Sequence, residues 1–312
     1  MTASPLPPPP LAPPDVVRRF AIEVTRRLDG LLQGDNQGLL VAAGSDPAES
    51  RRYNAGDDVR RMDWAATART TEPQVRTTIA ERELEATLLL DLSGSMAFGT
   101  AVAEKRDVAL AVATAVVHLT RGAGNRVGAM LVGDEKPVTL PARAGGEHAA
   151  ALLETLLRRP RLLDGAGDAG LAHALRAHAS RPRRRGLTVV VSDLLEPVEG
   201  WAQPLRVVAA RHDVIVVEVS DRRERELPPI GVLHLVDPDS GQETALRTTR
   251  RTRERYAEAA AARIEQHRHA VRAAGAGHVL LRTEDDWLPQ LVAYLRERRR
   301  TRAVVRPGGG VR

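Results

Sequence analysis

Apolar positions recur along the chain in two rhythms. Val16, Val17, Phe20, Val24, Leu28, Leu31 and Leu32 repeat at helical spacing behind Asp15, a natural N-cap, and predict an amphipathic docking helix that ends near Gly34. From Glu85 onward, short apolar runs alternate with longer helix-periodic stretches. Ala86–Leu92, Arg126–Val132, Leu187–Val191, Val214–Val219 and Val279–Arg282 read as strands. Ala101–Arg121, Glu147–Leu157, Leu171–Ala179, Gly200–Ala210, Tyr256–Ala274 and Trp287–Arg298 read as helices. Strands covered on both faces lose the polar alternation of half-exposed ones, so the expected fold is α/β, a doubly wound, mostly parallel sheet. Pro137–Leu140 follows its neighbour too closely for a crossover helix and is expected to be an antiparallel edge strand. Val232–Val236 and Glu243–Arg247 flank the turn-rich Asp237-Pro-Asp239-Ser-Gly241 and read as a small β-hairpin insertion. Thr283-Glu-Asp-Asp286 has the pattern of a capping box for the last helix, which finishes in arginines.

Composition changes this picture mainly at the ends. Residues 4–14 hold seven prolines without periodicity and predict an extended tail. The expected organisation is a Pro-rich tail over 1–14, an extension over 15–84 with short strand-like runs and a dense charged segment, the α/β domain over 85–298, and a basic disordered tail over 299–312. The net charge of +6 lies entirely in residues 296–312, where seven arginines face one glutamate; the rest of the chain is balanced. A basic protein usually suggests nucleic acid or an anionic surface, but here that suggestion is confined to a terminus and nucleic acid is not the expected partner. Lys105 and Lys136 are the only lysines among 46 basic residues. There is no cysteine, which excludes thiolate metal sites and cysteine nucleophiles and fits a reducing compartment. The proline-rich start has no signal-peptide pattern, and the longest apolar stretch, Ala109–Leu119, is interrupted by His118 and too short to span a bilayer, so a soluble cytoplasmic protein is expected.

Candidate chemistry gathers at two predicted strand ends. In Asp91-Leu-Ser93-Gly-Ser95, three hard oxygen side chains at alternate positions can converge on one small cation, Mg2+ or Mn2+, when the loop curls. The plainer reading is that Asp91 and the serines cap the helix that follows. A second carboxylate, Asp193, ends another buried strand, and strand-end carboxylates of one parallel sheet share an edge. This pattern resembles the metal-ion-dependent adhesion site of von Willebrand factor A domains. Upstream, Arg51-Arg-Tyr53-Asn-Ala-Gly56-Asp57-Asp58-Val-Arg60-Arg-Met-Asp63-Trp64, then Ala68-Arg69, Glu81-Arg82 and Leu89 to Gly99, is similar to the signature of bacterial DUF58 proteins. Asp237-Pro, Thr248, Tyr256, Ala276 to Thr283 and Trp287 extend the likeness, which covers roughly residues 35–300.

The resemblance implies a von Willebrand factor A-like fold with an N-terminal extension and frequent pairing with a MoxR-type AAA+ ATPase. It implies a non-enzymatic, metal-dependent interaction module in which Asp91, Ser93, Ser95 and Asp193 hold Mg2+ or Mn2+ and an acidic partner residue completes the coordination. The family's threonine from a second loop is absent, since Ala169-Gly170-Leu171 stands there; Asp168 is the candidate substitute. Ala55 replaces a common proline, and the membrane-spanning segments of many members have no counterpart.

The segment containing Arg51, Tyr53, Gly56, Asp57, Asp58, Arg60, Asp63, Trp64 and Arg69 has two readings. It is either an ion-pair lattice that pins the extension to the sheet or a partner-facing surface, since Trp, Tyr and Arg are enriched at interface hot spots. Gly165-Ala-Gly167-Asp-Ala-Gly170 matches the dinucleotide fingerprint but follows a predicted helix and loop, not a strand. His267 and His269 are two apart on a predicted helix and point to different faces. Trp201 and Trp287 read as core anchors, Asp237 and Asp239 as turn residues. Two rival functions stay open: a metal-dependent hydrolase acting on phosphoesters, for which no general base is evident, and anionic-surface or nucleic-acid binding through the C-terminal arginines.

Overall fold

The amphipathic repeat after Asp15 folds as helix α1 (Pro14–Leu32). Strand β1 (Ser50–Arg52), helix α2 (Trp64–Thr70) and strand β2 (Gln74–Arg76) follow, with β2 antiparallel to β1. The computed structural model describes residues 14–32, 50–54, 59, 62–76, 84–100, 103–120, 124–133, 136–160, 170–181, 185–236 and 243–304. The Pro-rich segment before Pro14, Gly56, Asp57, Asp58, Arg60, Asp168, Asp237, Asp239 and the chain after Val304 lie outside the described residues.

From Glu85 the elements run β3 (Glu85–Asp91), α3 (Lys105–Leu119), β4 (Arg126–Val132), β5 (Val138–Ala144), α4 (Gly146–Leu157) and α5 (Leu171–Ala179). They continue as β6 (Leu187–Ser192), α6 (Val198–Arg211), β7 (Asp213–Ser220), β8 (Val232–Val236), β9 (Glu243–Arg247), α7 (Arg250–Ala273), β10 (Gly277–Arg282) and α8 (Trp287–Val304). Six strands form one sheet in the order β10-β7-β6-β3-β4-β5, parallel throughout except for β5, which runs antiparallel to β4. This is the expected doubly wound, mostly parallel sheet, with β5 as its antiparallel edge. β8 and β9 pair as the expected hairpin.

Alternation along each strand divides two cores. Leu88, Leu90, Val189 and Val191 face the side covered by α1, α3, α4 and α8; Leu89, Val190, Val214 and Val216 face α5, α6 and α7. Each such side chain, removed from water, contributes roughly 1.5–3 kcal/mol. Helix α3 is buried at every position but Asp107 and His118. A helix apolar all round needs cover on its outer side as well, and α1 supplies it through Val24, Leu28 and Leu32.

Local chemistry moved several predicted boundaries. α3 starts at Lys105, not Ala101, because the Asp107 carboxylate accepts from Glu104 N at 3.0 Å and sets the first turn. Thr283 does not cap α8: it is buried and donates its hydroxyl to Asp221 Oδ2 at 2.6 Å. α8 itself continues through Val304, beyond Arg298. At the β4–β5 edge, Val127 pairs with Arg143 and Ala129 with Leu140, so Pro141 and Ala142 stand opposite Gly128 alone. This β-bulge presses on Gly128, where a Cβ would lie 2.6 Å from Ala142 N. Among the described residues no helix is long and apolar enough to cross a membrane.

Candidate metal and partner site

Parallel pairing of β3 with β6 sets Leu90 beside Val191 and so brings the two strand ends level. Asp91 ends β3, Ser192 ends β6 and Asp193 follows it; all three are buried. Ser192 Oγ donates to Asp91 Oδ2 at 2.7 Å. The chain then curls. Ser93 donates to Asp91 Oδ1 from its backbone N at 3.0 Å and from its Oγ at 2.6 Å, and its Oγ lies 3.2 Å from Ser95 Oγ. A 3-10 turn over Gly94–Ala97, anchored by the fully buried Met96, fixes this curl. Gly133, at φ +118°, lets the segment after β4 pass close by, since a Cβ there would lie 2.7 Å from Ser93 N. The expected convergence of Asp91, Ser93 and Ser95 is thus present, and the plainer reading of Asp91 as a helix cap is not, since its acceptors serve Ser93 and Ser192.

Past β6, Leu194 adopts φ +55°, a left-handed conformation that costs a branched residue about 1–2 kcal/mol. The kink is held by Leu194 N donating to Ser192 Oγ at 3.1 Å and Leu195 N donating to Asp193 Oδ1 at 3.2 Å. It turns Leu194 into the core and leaves Leu195 exposed at the rim, as is Phe98 from the first loop.

A cation that the motif did not announce sits in the site. Lys105, in the first turn of α3, is fully buried; its Nζ donates to Asp193 Oδ2 at 2.7 Å and pairs with Glu224 Oε1. The Phe98 ring centroid is 5.9 Å from the same nitrogen. Burial alone would push the Lys105 pKa down, but the Asp193 and Glu224 carboxylates hold it above the ordinary lysine value. Asp91 moves the other way for a carboxylate: burial and then the nearby charge of Asp193 push it up to about 6, against the hydrogen bonds from Ser93 and Ser192.

The polar chain continues along the strand ends. Asp221 N donates to Glu224 Oε2 at 3.0 Å, and the Asp221 carboxylate accepts from Thr100 N at 3.0 Å, Thr100 Oγ1 at 2.5 Å, Arg223 N at 2.8 Å and Thr283 Oγ1 at 2.6 Å. Burial would raise the Asp221 pKa, yet these donors lower it. Where the family's threonine would stand, the Glu196 carboxylate caps α5, accepting from Leu171 N and from Ala172 N at 3.4 Å. Gly170 leaves room for that carboxylate, and Glu196 O accepts from Trp201 Nε1 at 3.1 Å.

Arg51 sits on β1 opposite Val75, Tyr53 N donates to Pro73 O at 2.8 Å, and Asp63 caps α2 by accepting from Ala66 N at 3.0 Å. Trp64 is 71% exposed on α2, and Arg69 is exposed too. Trp64 is therefore not pinned against the sheet. Trp201 is a core anchor as expected, and Trp287 packs half-buried against the core.

A separate ionic cluster lies mid-sheet. Glu218 of β7 accepts from His267 Nδ1 of α7 at 2.9 Å and from His278 Nε2 of β10 at 2.7 Å, all three side chains being 5% exposed or less. Burial would raise the Glu218 pKa, but hydrogen bonds and charge from the two histidines lower it. The His267 ring meets Trp201 edge-on at 6.1 Å. Motif reading missed Lys105, Glu224, Asp221, Glu196 and this cluster. Lys105 alone carried a signal: it is one of two lysines in an arginine-dominated chain, and the other, Lys136, is exposed.

The family described as "Protein of unknown function DUF58" matches residues 49–267. An uncharacterized protein of Mycobacterium tuberculosis is 45% identical over 285 residues, covering 91% of this chain and 89% of that one, and one of Mycobacterium bovis matches equally. Among solved structures, BatB from Bacteroides thetaiotaomicron is 14% identical, covers 70% of this chain and 99% of its own, and has a TM-score of 0.43. An aerotolerance-related membrane protein from Bacteroides fragilis is 15% identical with a TM-score of 0.45, covering 69% and 99%. The fold is carried by the strand order itself rather than by these likenesses.

Proposed function

The chain belongs to the DUF58 family, and on that premise we propose that it is a non-enzymatic, metal-dependent protein-protein interaction module whose binding face is the C-terminal edge of β3 and β6. The convergence of Asp91, Ser93 and Ser95 carries the reading. Successive oxygens lie 2.6 and 3.2 Å apart, close to the roughly 2.9 Å between adjacent ligands of an octahedral Mg2+ with bonds of about 2.0–2.1 Å. One carboxylate and two hydroxyls form a hard donor set that suits Mg2+ or Mn2+. Asp193 belongs to the same site at one remove, and a contribution from Asp168 stays part of the proposal.

When bound, the ion would offer a coordination position to a carboxylate of the partner. Around that position, exposed Phe98 and Leu195 supply apolar contact. The family resemblance makes a MoxR-type AAA+ ATPase the partner to test, and a cytoplasmic location belongs to the same reading. Copurification of the two proteins should depend on Mg2+, and Asp91→Ala should remove that dependence. Equal recovery with and without chelator would overturn the metal-dependent part of the proposal.

A further inference from the structure

Lys105 changes the charge balance of the site. An ammonium has three donors and no acceptor. Here its hydrogen bonds go to Asp193 and Glu224, with the Phe98 ring 5.9 Å away. Asp193 is held at both oxygens, Oδ2 by Lys105 and Oδ1 by Leu195 N. Among the described residues, Asp91 receives only neutral donors, from Ser93 and Ser192. The ammonium, shared with Glu224, thus engages the second carboxylate at Oδ2 and leaves the first to a different cation. A compact point charge on a straight stem fits this buried position, where the wider planar guanidinium of arginine would not be equivalent.

We propose that Lys105 holds Asp193 out of direct contact with the divalent ion and thereby sets the site's preference for an acidic partner. The inference rests on the metal reading above. An ion bound by Asp91 and two hydroxyls keeps one of its two charges, which attracts a partner carboxylate. An ion bound by both aspartates keeps none. Lys105 is thus a positioning residue that acts on the metal through Asp193.

The test uses Mn2+ alone on the full chain, with calorimetry for affinity and water-proton relaxation for the waters left on the ion. Asp193→Asn should weaken Mn2+ by only about threefold, whereas Asp91→Asn should weaken it by about 100-fold or more, as expected for an outer and an inner ligand charge. Lys105→Met should free Asp193 to ligate, tightening Mn2+ by about tenfold and lowering the relaxivity per bound ion as an inner water is lost. Adding Asp193→Asn to Lys105→Met should cancel both changes. Equal losses in Asp193→Asn and Asp91→Asn would overturn the role of Lys105 while leaving the metal site standing, and need no folded Lys105 variant. Unchanged or weaker Mn2+ binding by a folded Lys105→Met protein would also overturn it. No saturable Mn2+ binding by the wild type would overturn both readings.

Discussion

Two buried ionic clusters sit on the same sheet and are built to opposite ends. The Glu218 cluster lies mid-strand, and its single carboxylate is matched on both oxygens by His267 and His278. At the strand ends four carboxylates lie close together with one ammonium, which pairs with Asp193 and Glu224 alone, while Asp221 N donates to Glu224 and Asp91 accepts from Ser93 and Ser192. A buried polar network that is fully satisfied rigidifies a core, whereas one with surplus charge of a single sign is poised to take a counter-charge. The pKa shifts of Glu218 and Asp91 run in opposite directions, whereas Asp221, bound by its own donors, is lowered as Glu218 is. Glu218 is held below the ordinary carboxylate range and Asp91 is pushed above it. Burial is common to both, so the difference lies in what faces each carboxylate.

The contrast is broken most sharply by removing one carboxylate from each cluster. Glu218→Ala leaves two buried imidazoles without their acceptor and should cost about 3 kcal/mol or more in denaturant unfolding. Asp91→Asn relieves repulsion and should leave metal-free stability within about 1 kcal/mol of the wild type. If both variants lost stability equally, the division into a satisfied and an unsatisfied cluster would fail. Acid titration sharpens the same point. The folded pKa of Glu218 lies below its ordinary 4.5, so its contribution is complete above that value and is lost as pH falls through the folded pKa. Stability curves of the wild type and Glu218→Gln should therefore converge below pH 4.5. A gap that persists in acid would assign the cost to packing. The smallest effect belongs to a residue of neither cluster: Trp64→Ala should change stability by no more than about 0.5 kcal/mol, given its exposure.

What the sequence disclosed follows from the range of the interactions involved. Strands such as Leu187–Ser192 were legible because burial on both faces writes an unbroken apolar run into consecutive positions. Asp91, Ser93 and Ser95 were legible because one loop carries all three. Lys105 was not, because its partners lie 88 and 119 residues away and a lone lysine has no periodicity. Thr283 was misread for the converse reason. Its local neighbours form a convincing capping pattern, but Asp221, 62 residues back, claims its hydroxyl. Glu196 caps α5 from 25 residues downstream, a pairing that only the β6 turn creates.

The bulge at Pro141 has a consequence for how the molecule meets others. A sheet edge normally offers a row of free backbone donors and acceptors on which a further strand can assemble. On β5, proline supplies no N–H at position 141 and the adjacent bulge breaks the regular spacing. Growth of the sheet by strand addition is thereby opposed on that side. A neighbouring chain that approaches β5 meets an interrupted template.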